Sequence, residues 1–200
     1  MTTPLILASI SATRVSMLKN AGLVFDAMAP MVDEEALKDA LSADGLSPRD
    51  MADALAEAKA TKMSTKFPAT LVIGADQMLA LDDGPLFDKP QSPDMAKSQL
   101  AEMSGKSHRL FSAAVVAAAG VPVWRHVGIV RLNVRKLSDA FIDSYVERNW
   151  NGIRHCVGCY QIEGEGAQLF TRIEGDHFDI LGLPLLPLLA FLRDRKELLS

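Results

Sequence analysis

The sequence predicts a mixed α/β fold in which one mixed β-sheet is flanked by helices. Two short apolar runs, Leu5–Ser9 and the β-branched Ala69–Ala75, read as buried strands. Segments with apolar residues at helical spacing lie between and after them. Strands and helices alternate irregularly, without the repeated βαβ unit that would argue for an all-parallel sheet. At 200 residues and 48% hydrophobic content the chain can bury a core, and with no repeat, low-complexity tract or linker, one compact domain over 1–200 is expected.

The elements follow in order. Leu5–Ser9 predicts a strand and a loop. From Thr13 to Ala21, Val15, Leu18 and Ala21 recur at helical spacing before Gly22, which suits a helix C-terminus. Leu23–Ala29 alternates weakly into Pro30, and the acidic cluster Asp33, Glu34, Glu35 starts a loop or helix. Ser47-Pro48 is a cap followed by a first-turn proline, and the helix it opens carries Lys59. Ala69–Ala75 predicts a buried strand from whose end Asp76 emerges. Asp82-Asp83-Gly84-Pro85 reads as a turn, Asp94–Met103 as an amphipathic helix, and Arg109–Ala119 with Val121–Val134 as two long strands joined around Gly120-Val121-Pro122. Ser138 caps a helix running to about Arg148, ended by the turn residues Asn149–Gly152, and a glycine-rich segment, Gly158–Gly166, follows.

Composition narrows the function. With 21 basic and 25 acidic side chains, the net charge of −4 leaves no electrostatic footprint for duplex nucleic acid, so a polyanionic substrate would need a local basic pocket. Met1–Ala12 lacks the positive region of a secretory signal, and export is not expected. The most apolar run, Ile180–Leu192, carries Pro184 and Pro187 and is too short to span a hydrocarbon core of about 30 Å, so it reads as a buried helix or interface and no membrane partner is expected. Two cysteines allow no disulfide framework, which fits a reducing cytoplasm.

Several short motifs tempt and fail. Gly105-Lys106-Ser107 looks like the end of a phosphate-binding loop, but Gln99-Leu100-Ala101 holds no glycine where the pattern needs one, so a loop joining helix to strand is the better reading. Gly164-Glu165-Gly166 begins a dinucleotide-type pattern, yet Leu169 stands in the third glycine's place. Cys156-Val157-Gly158-Cys159 is a formal C-x-x-C surrounded by glycines; neither His155 nor His177 completes a zinc site, and buried unreactive thiols are favoured. His108 and His126 belong to no nucleophile constellation.

Taken together, scattered segments across nearly the whole chain resemble the Maf family of nucleoside triphosphate pyrophosphatases. Leu5–Arg14 (LILASISATR) resembles the family's strand and serine-rich, arginine-bearing loop, with Ser9, Ser11 and Arg14 matching and Thr13 replacing a first arginine. Glu34, in PMVDEE, takes the position of the family glutamate, and Lys59, in AEAKA, that of its lysine. VIGADQ (Val72–Gln77) resembles the family's G-A-D-T with Gln77 for threonine, and Lys89-Pro90 repeats its K-P. MSGKSH (Met103–His108) resembles S-G-x-x-H, followed by a hydroxyl residue, Ser112. Val157–Phe170 and Ile180–Leu185 resemble G-x-Y-x-I-Q-G and V-G-L-P-L, with Glu163 for glutamine. Cys156 stands where many members carry lysine, and Arg154 is a nearby substitute for that charge.

The resemblance implies an elongated mixed sheet flanked by helices, similar to the inosine triphosphatase group, and metal-dependent cleavage of a canonical or modified nucleoside triphosphate to monophosphate and pyrophosphate. Nucleotide-pool housekeeping in the cytoplasm is the implied role, and the oligomeric state stays open, a homodimer being one candidate. Asp76 and Glu34 are the implied catalytic residues and ligands of Mg²⁺ or Mn²⁺, carboxylate oxygens being suited to those hard cations. Ser9, Ser11, Arg14, Lys59, Lys89 and Glu163 are the implied substrate and phosphate ligands, supplying cations and donors to the charge that develops on phosphoryl transfer. Two other classes stay open. One is a nucleotide-binding regulator of septum formation with little catalysis, favoured by the departures at Thr13, Gln77, Cys156 and Glu163. The other is a thiol redox protein using Cys156 and Cys159.

Overall fold

The computed structural model describes residues 3–82 and 84–198. Their elements are β1 (Leu5–Leu7), α1 (Ala12–Asn20), β2 (Asp26–Ala27), α2 (Glu34–Ala43), α3 (Pro48–Lys66), β3 (Leu71–Leu81), β4 (Leu86–Phe87) and α4 (Pro93–Met103). Then come β5 (Ser107–Ala118), β6 (Val121–Val134), α5 (Asp139–Ile153), a 3-10 helix (Glu165–Leu169), β7 (Phe170–Glu174), α6 (His177–Ile180) and α7 (Leu185–Asp194). The strands form one sheet in the order β2-β1-β3-β5-β6-β7, with β4 beside β3. β1 runs parallel to β2 and β3, whereas β3–β4 and β6–β7 are antiparallel, which is the mixed sheet the sequence predicts. The chain divides into two compact units, Met1–Gln77 with Ser112–Gly128 and His177–Ser200, and Met78–Phe111 with Ile129–Asp176; β3, β5 and β6 contribute to both.

In the first unit, local chemistry sets the helix starts. Ser11, Asp33 and Ser47 accept from the backbone N–H groups of Arg14, Ala36 and Asp50, and each such cap contributes about 1 kcal/mol. The Ser47-Pro48 entry stands where the sequence puts it. β3 alternates as a strand must: Leu71, Ile73 and Ala75 join Leu7, Met17, Leu18, Leu183 and Leu188 in one core, while Val72 packs with Ile6, Ala8 and Met63 in another. Gly74 lies on the Val72 side, where a Cβ would strike the Ala56 carbonyl and come within 2.6 Å of the Ala60 nitrogen. The missing side chain lets α3 lie directly against β3.

Three expectations need correction here. β3 does not end at Ala75 but runs to Leu81, so Asp76 sits in mid-strand, because Lys59 pairs with Asp76 Oδ1, Gln77 finds its own side-chain and carbonyl partners, and buried Met78 and Leu79 follow. The β5–β6 turn is Ala119-Gly120, both at positive φ (48° and 81°), so the strand expected to reach Ala119 stops at Ala118, while β6 spans Val121–Val134 as predicted; two such residues suit a tight hairpin. The apolar run Ile180–Leu192 is split between the end of α6 and α7. Pro187 falls in the first turn of α7, where its missing N–H costs no helical bond, and Leu185, Leu188 and Leu192 are buried while Leu186 is exposed. Among the described residues no helix is long and apolar enough to cross a membrane.

In the second unit, α5 begins at the predicted Ser138 cap but continues through Asn149–Gly152 to Ile153. Tertiary packing overrides the turn chemistry: Ile153 is buried, and Asn149 donates to the Tyr145 carbonyl and to Glu165. β7 goes unpredicted because four of its five residues are exposed, which leaves no apolar alternation to read. Lys106 lies in the loop joining α4 to β5, as the sequence predicts, and the Asp82–Pro85 turn closes with the Leu81 N–H donating to the Pro85 carbonyl; Asp83 is outside the described residues.

Candidate active site

The site is built on α3 lying against β3. Because Gly74 brings α3 close, Lys59, on the fourth turn of that helix, is carried to the same face of β3 as Asp76, two residues beyond Gly74. Lys59 Nζ donates to Asp76 Oδ1 at 2.7 Å and to Glu34 Oε2 at 2.8 Å. Lys59 and Asp76 are buried, 4% and 6% exposed, whereas the Glu34 side chain, at the first turn of α2, is 42% exposed. One ammonium therefore joins a buried carboxylate to a solvent-facing one. Asp76 Oδ2 is buried without a hydrogen-bond partner. An orphaned carboxylate oxygen at the centre of a charged cluster carries a desolvation cost that folding alone does not explain.

Arg14, in the first turn of α1, reaches the same strand. Its Nε donates to the Gly182 carbonyl at 2.8 Å and its Nη1 to the Ala75 carbonyl at 2.9 Å. Burial lowers the pKa of this guanidinium from its ordinary value, and the carboxylates of Asp76 and Glu34 oppose that shift. Buried Ser9 accepts from the Ser11 N–H, and Ser11 Oγ caps α1 through the Arg14 N–H. Two hydroxyls and the positive end of a helix thus stand at the loop that leads into the helix carrying Arg14. The structure brings Glu34, Lys59, Asp76 and Arg14 into one electrostatic cluster and places Ser9 and Ser11 at its helix entrance.

Asp76 and Gln77, adjacent on β3, point to opposite faces. Gln77 Nε2 donates to Ser112 Oγ (2.9 Å) and to the carbonyls of Asp179 (3.0 Å) and Ile180 (3.1 Å), and Ser112 Oγ donates to the Asp179 carbonyl at 2.6 Å. Sequence reasoning sees Gln77 only as an anomaly. Its partners lie more than thirty and more than one hundred residues away, and no periodicity marks them.

Lys89 and Glu163 belong to the second unit, both exposed, and the charges of both reach Cys156. Arg154 caps the end of α5 with its guanidinium over the Trp150 ring. Burial pushes the Cys156 thiol up to about 11 and the Cys159 thiol up to about 12, and Cys159 donates to Gln99 Oε1 at 3.0 Å, the opposite of the activated thiol a redox C-x-x-C needs. His108, fully buried on β5, is 2.9 Å from the Tyr160 hydroxyl through Nε2, and its Nδ1 has no partner. Burial lowers its pKa to about 4, so the ring is neutral near pH 7.

Among the described residues no three His, Cys, Asp or Glu side chains gather as a ready-made metal cage. Glu34 and the free Oδ2 of Asp76 nonetheless fit Mg²⁺ or Mn²⁺, which take one or two carboxylates and complete their shells with water and substrate phosphates.

A family model described as Maf-like protein matches residues 4–195. The chain is 56% identical to a nucleoside triphosphate pyrophosphatase of Sphingopyxis alaskensis, over 94% of this chain and 96% of that protein. It is 55% identical to a nucleoside triphosphate pyrophosphatase of Ruegeria pomeroyi over 96% of each chain. It is 47% identical to a 7-methyl-GTP pyrophosphatase of Brucella abortus biovar 1 over 98% of each.

Proposed function

The chain belongs to the Maf family, and on that premise we propose that it is a nucleoside triphosphate pyrophosphatase, hydrolysing a canonical or modified nucleoside triphosphate to the monophosphate and pyrophosphate. The observation that carries the residue assignment is the Glu34–Lys59–Asp76 chain with Asp76 Oδ2 left as a buried acceptor. Lys59 occupies Oδ1 and fixes the plane of the carboxylate. Asp76 Oδ2 takes the proton of the attacking water, whose oxygen bonds to phosphorus as the α–β phosphoanhydride breaks and pyrophosphate departs. Arg14, Ser9, Ser11 and the α1 N-terminus bind phosphate oxygens, offsetting charge that the net negative chain would otherwise repel. For Lys89 and Glu163, the assignment as substrate ligands rests on their motif positions.

Glu34 and Asp76 would hold Mg²⁺ or Mn²⁺, which would supply charge neutralisation at the phosphates. Lys59 keeps the two carboxylates within reach of one another and limits their repulsion before substrate arrives.

The test is pyrophosphate release from a panel of triphosphates including 7-methyl-GTP, with Mg²⁺, Mn²⁺ or chelator, for the wild type and Asp76→Asn. Release that needs the metal and drops about 10²–10⁴-fold in the variant, with an unchanged melting curve, is expected from loss of a general base. Full activity in Asp76→Asn removes Asp76 from that role. Silence across the panel with nucleotide still bound favours a binding regulator.

A further inference from the structure

Arg14 donates to two backbone carbonyls, those of Ala75 and Gly182, and the second of them leads away from the carboxylates. The carbonyl that accepts from its Nε belongs to Gly182, in the turn between α6 and α7. Gly182 has φ +92°, which strains any side chain there, and a Cβ would lie in ordinary van der Waals contact with Arg14 Nη2 (3.4 Å), Arg14 Nε (3.5 Å) and Gln77 Oε1 (3.5 Å). The turn closes with the Gly182 N–H donating to the Asp179 carbonyl at 3.2 Å. That same carbonyl accepts from buried Ser112 Oγ at 2.6 Å and from Gln77 Nε2 at 3.0 Å. Opposite, a Cβ on Gly128 would collide with the Asp179 carboxyl group, so β6 backs the turn closely. The turn is therefore pinned at its first residue by a hydroxyl from β5 and presents its last carbonyl to Arg14.

Geometry turns this into a functional statement. An arginine has five N–H donors in a rigid fork, so fixing two of them fixes the direction of the rest. With Nε on Gly182 and Nη1 on Ala75, Nη2 makes no hydrogen bond to any described residue and is left for an external acceptor. An Arg side chain otherwise free to rotate would lose rotamer entropy on binding phosphate; here that ordering is done before the ligand arrives.

We propose that Ser112 is a positioning residue for Arg14: by holding the Asp179–Gly182 turn it sets the guanidinium so that Nη2 is aimed at a phosphate oxygen. This rests on the reading of Arg14 as a triphosphate ligand given above. Ser112 touches no substrate in this scheme and acts only through Asp179, Gly182 and Arg14.

The experiment compares the wild type, Ser112→Ala, Ser112→Thr and Gly182→Ala in two measurements. The first is water exchange of the Arg14 Nε–H by ¹H–¹⁵N NMR, assigned by its disappearance in Arg14→Lys. The second is KM and kcat for pyrophosphate release from the best triphosphate of the panel. Slow exchange is expected in the wild type and Ser112→Thr, and at least 10-fold faster exchange in Ser112→Ala. Ser112→Ala is expected to raise KM about 10-fold with kcat within about 2-fold, and Ser112→Thr to restore it. Gly182→Ala keeps the Ser112 hydroxyl but strains the turn, and carries the same test should Ser112→Ala fail to fold. Unchanged Nε–H exchange in whichever of the two folds, or equal kinetic damage in Ser112→Ala and Ser112→Thr, overturns the proposal. A wild type without turnover would sink the function proposed above instead, and the exchange measurement alone would then decide the coupling.

Discussion

Lys59 is the residue on which the site turns. It is buried, and it is the partner that compensates the buried carboxylate of Asp76. Removing one member of a buried ion pair strands the other, which costs about 3–5 kcal/mol, whereas the pair with half-exposed Glu34 adds little. Lys59→Met is therefore expected to lose about 3 kcal/mol of unfolding free energy in urea titrations without nucleotide. A loss below about 1 kcal/mol would mean that the Lys59–Asp76 pair is not desolvated. Lysine was legible in the sequence as a helix residue and a motif match, but nothing local in AEAKA says that its ammonium is buried, since an amphipathic-helix lysine ordinarily stays in water.

At the scale of elements, the decisive contact is α3 on β3 through Gly74. A methyl at Gly74 meets helix backbone at Ala56 and Ala60, which cannot give as a flexible side chain can. Gly74→Ala is expected to cost about 1–3 kcal/mol through overpacking. It should also cut turnover at least 10-fold, because α3 carries Lys59 and must move outward. Gly45→Ala is the control: its φ of +72° makes it a comparable backbone insult, about 1 kcal/mol, but nothing lies within 4 Å of the new methyl. Equal activity loss in the two variants would show that helix–strand spacing does not govern the site. The β5–β6 hairpin and α5 make the complementary point. Their turn residues were visible in sequence, yet which of them turned was set by pairing and burial: Ala119-Gly120 bends while Asn149–Gly152 stays helical.

At the scale of the whole molecule, acid should weaken the fold through His108. Unfolded, its imidazole takes a proton near pH 6.5; folded, it refuses one until about pH 4, because protonation would bury a charge. The unfolded chain thus binds more protons between those values, and stability that is complete above about pH 6.5 falls as pH drops toward 4, by roughly 3 kcal/mol for a shift of this size. Urea midpoints measured from pH 7.5 to 4.5 should show that acid limb, and His108→Asn should flatten it; an equally steep limb in the variant would assign the loss to carboxylates alone. The mixed sheet, the positions of most helices, the caps at Ser47 and Ser138 and the sequence motifs were determined by the sequence itself, because apolar periodicity, cap hydrogen bonds and glycine or proline φ preferences act over a few residues. Only the tertiary structure decided that Asp76 lies in mid-strand with one oxygen unpartnered, that Gln77 and Ser112 grip the turn behind Arg14, and that the exposed β7 forms at all. Those outcomes depend on hydrogen bonds and burial between residues far apart in the chain, which no local pattern encodes.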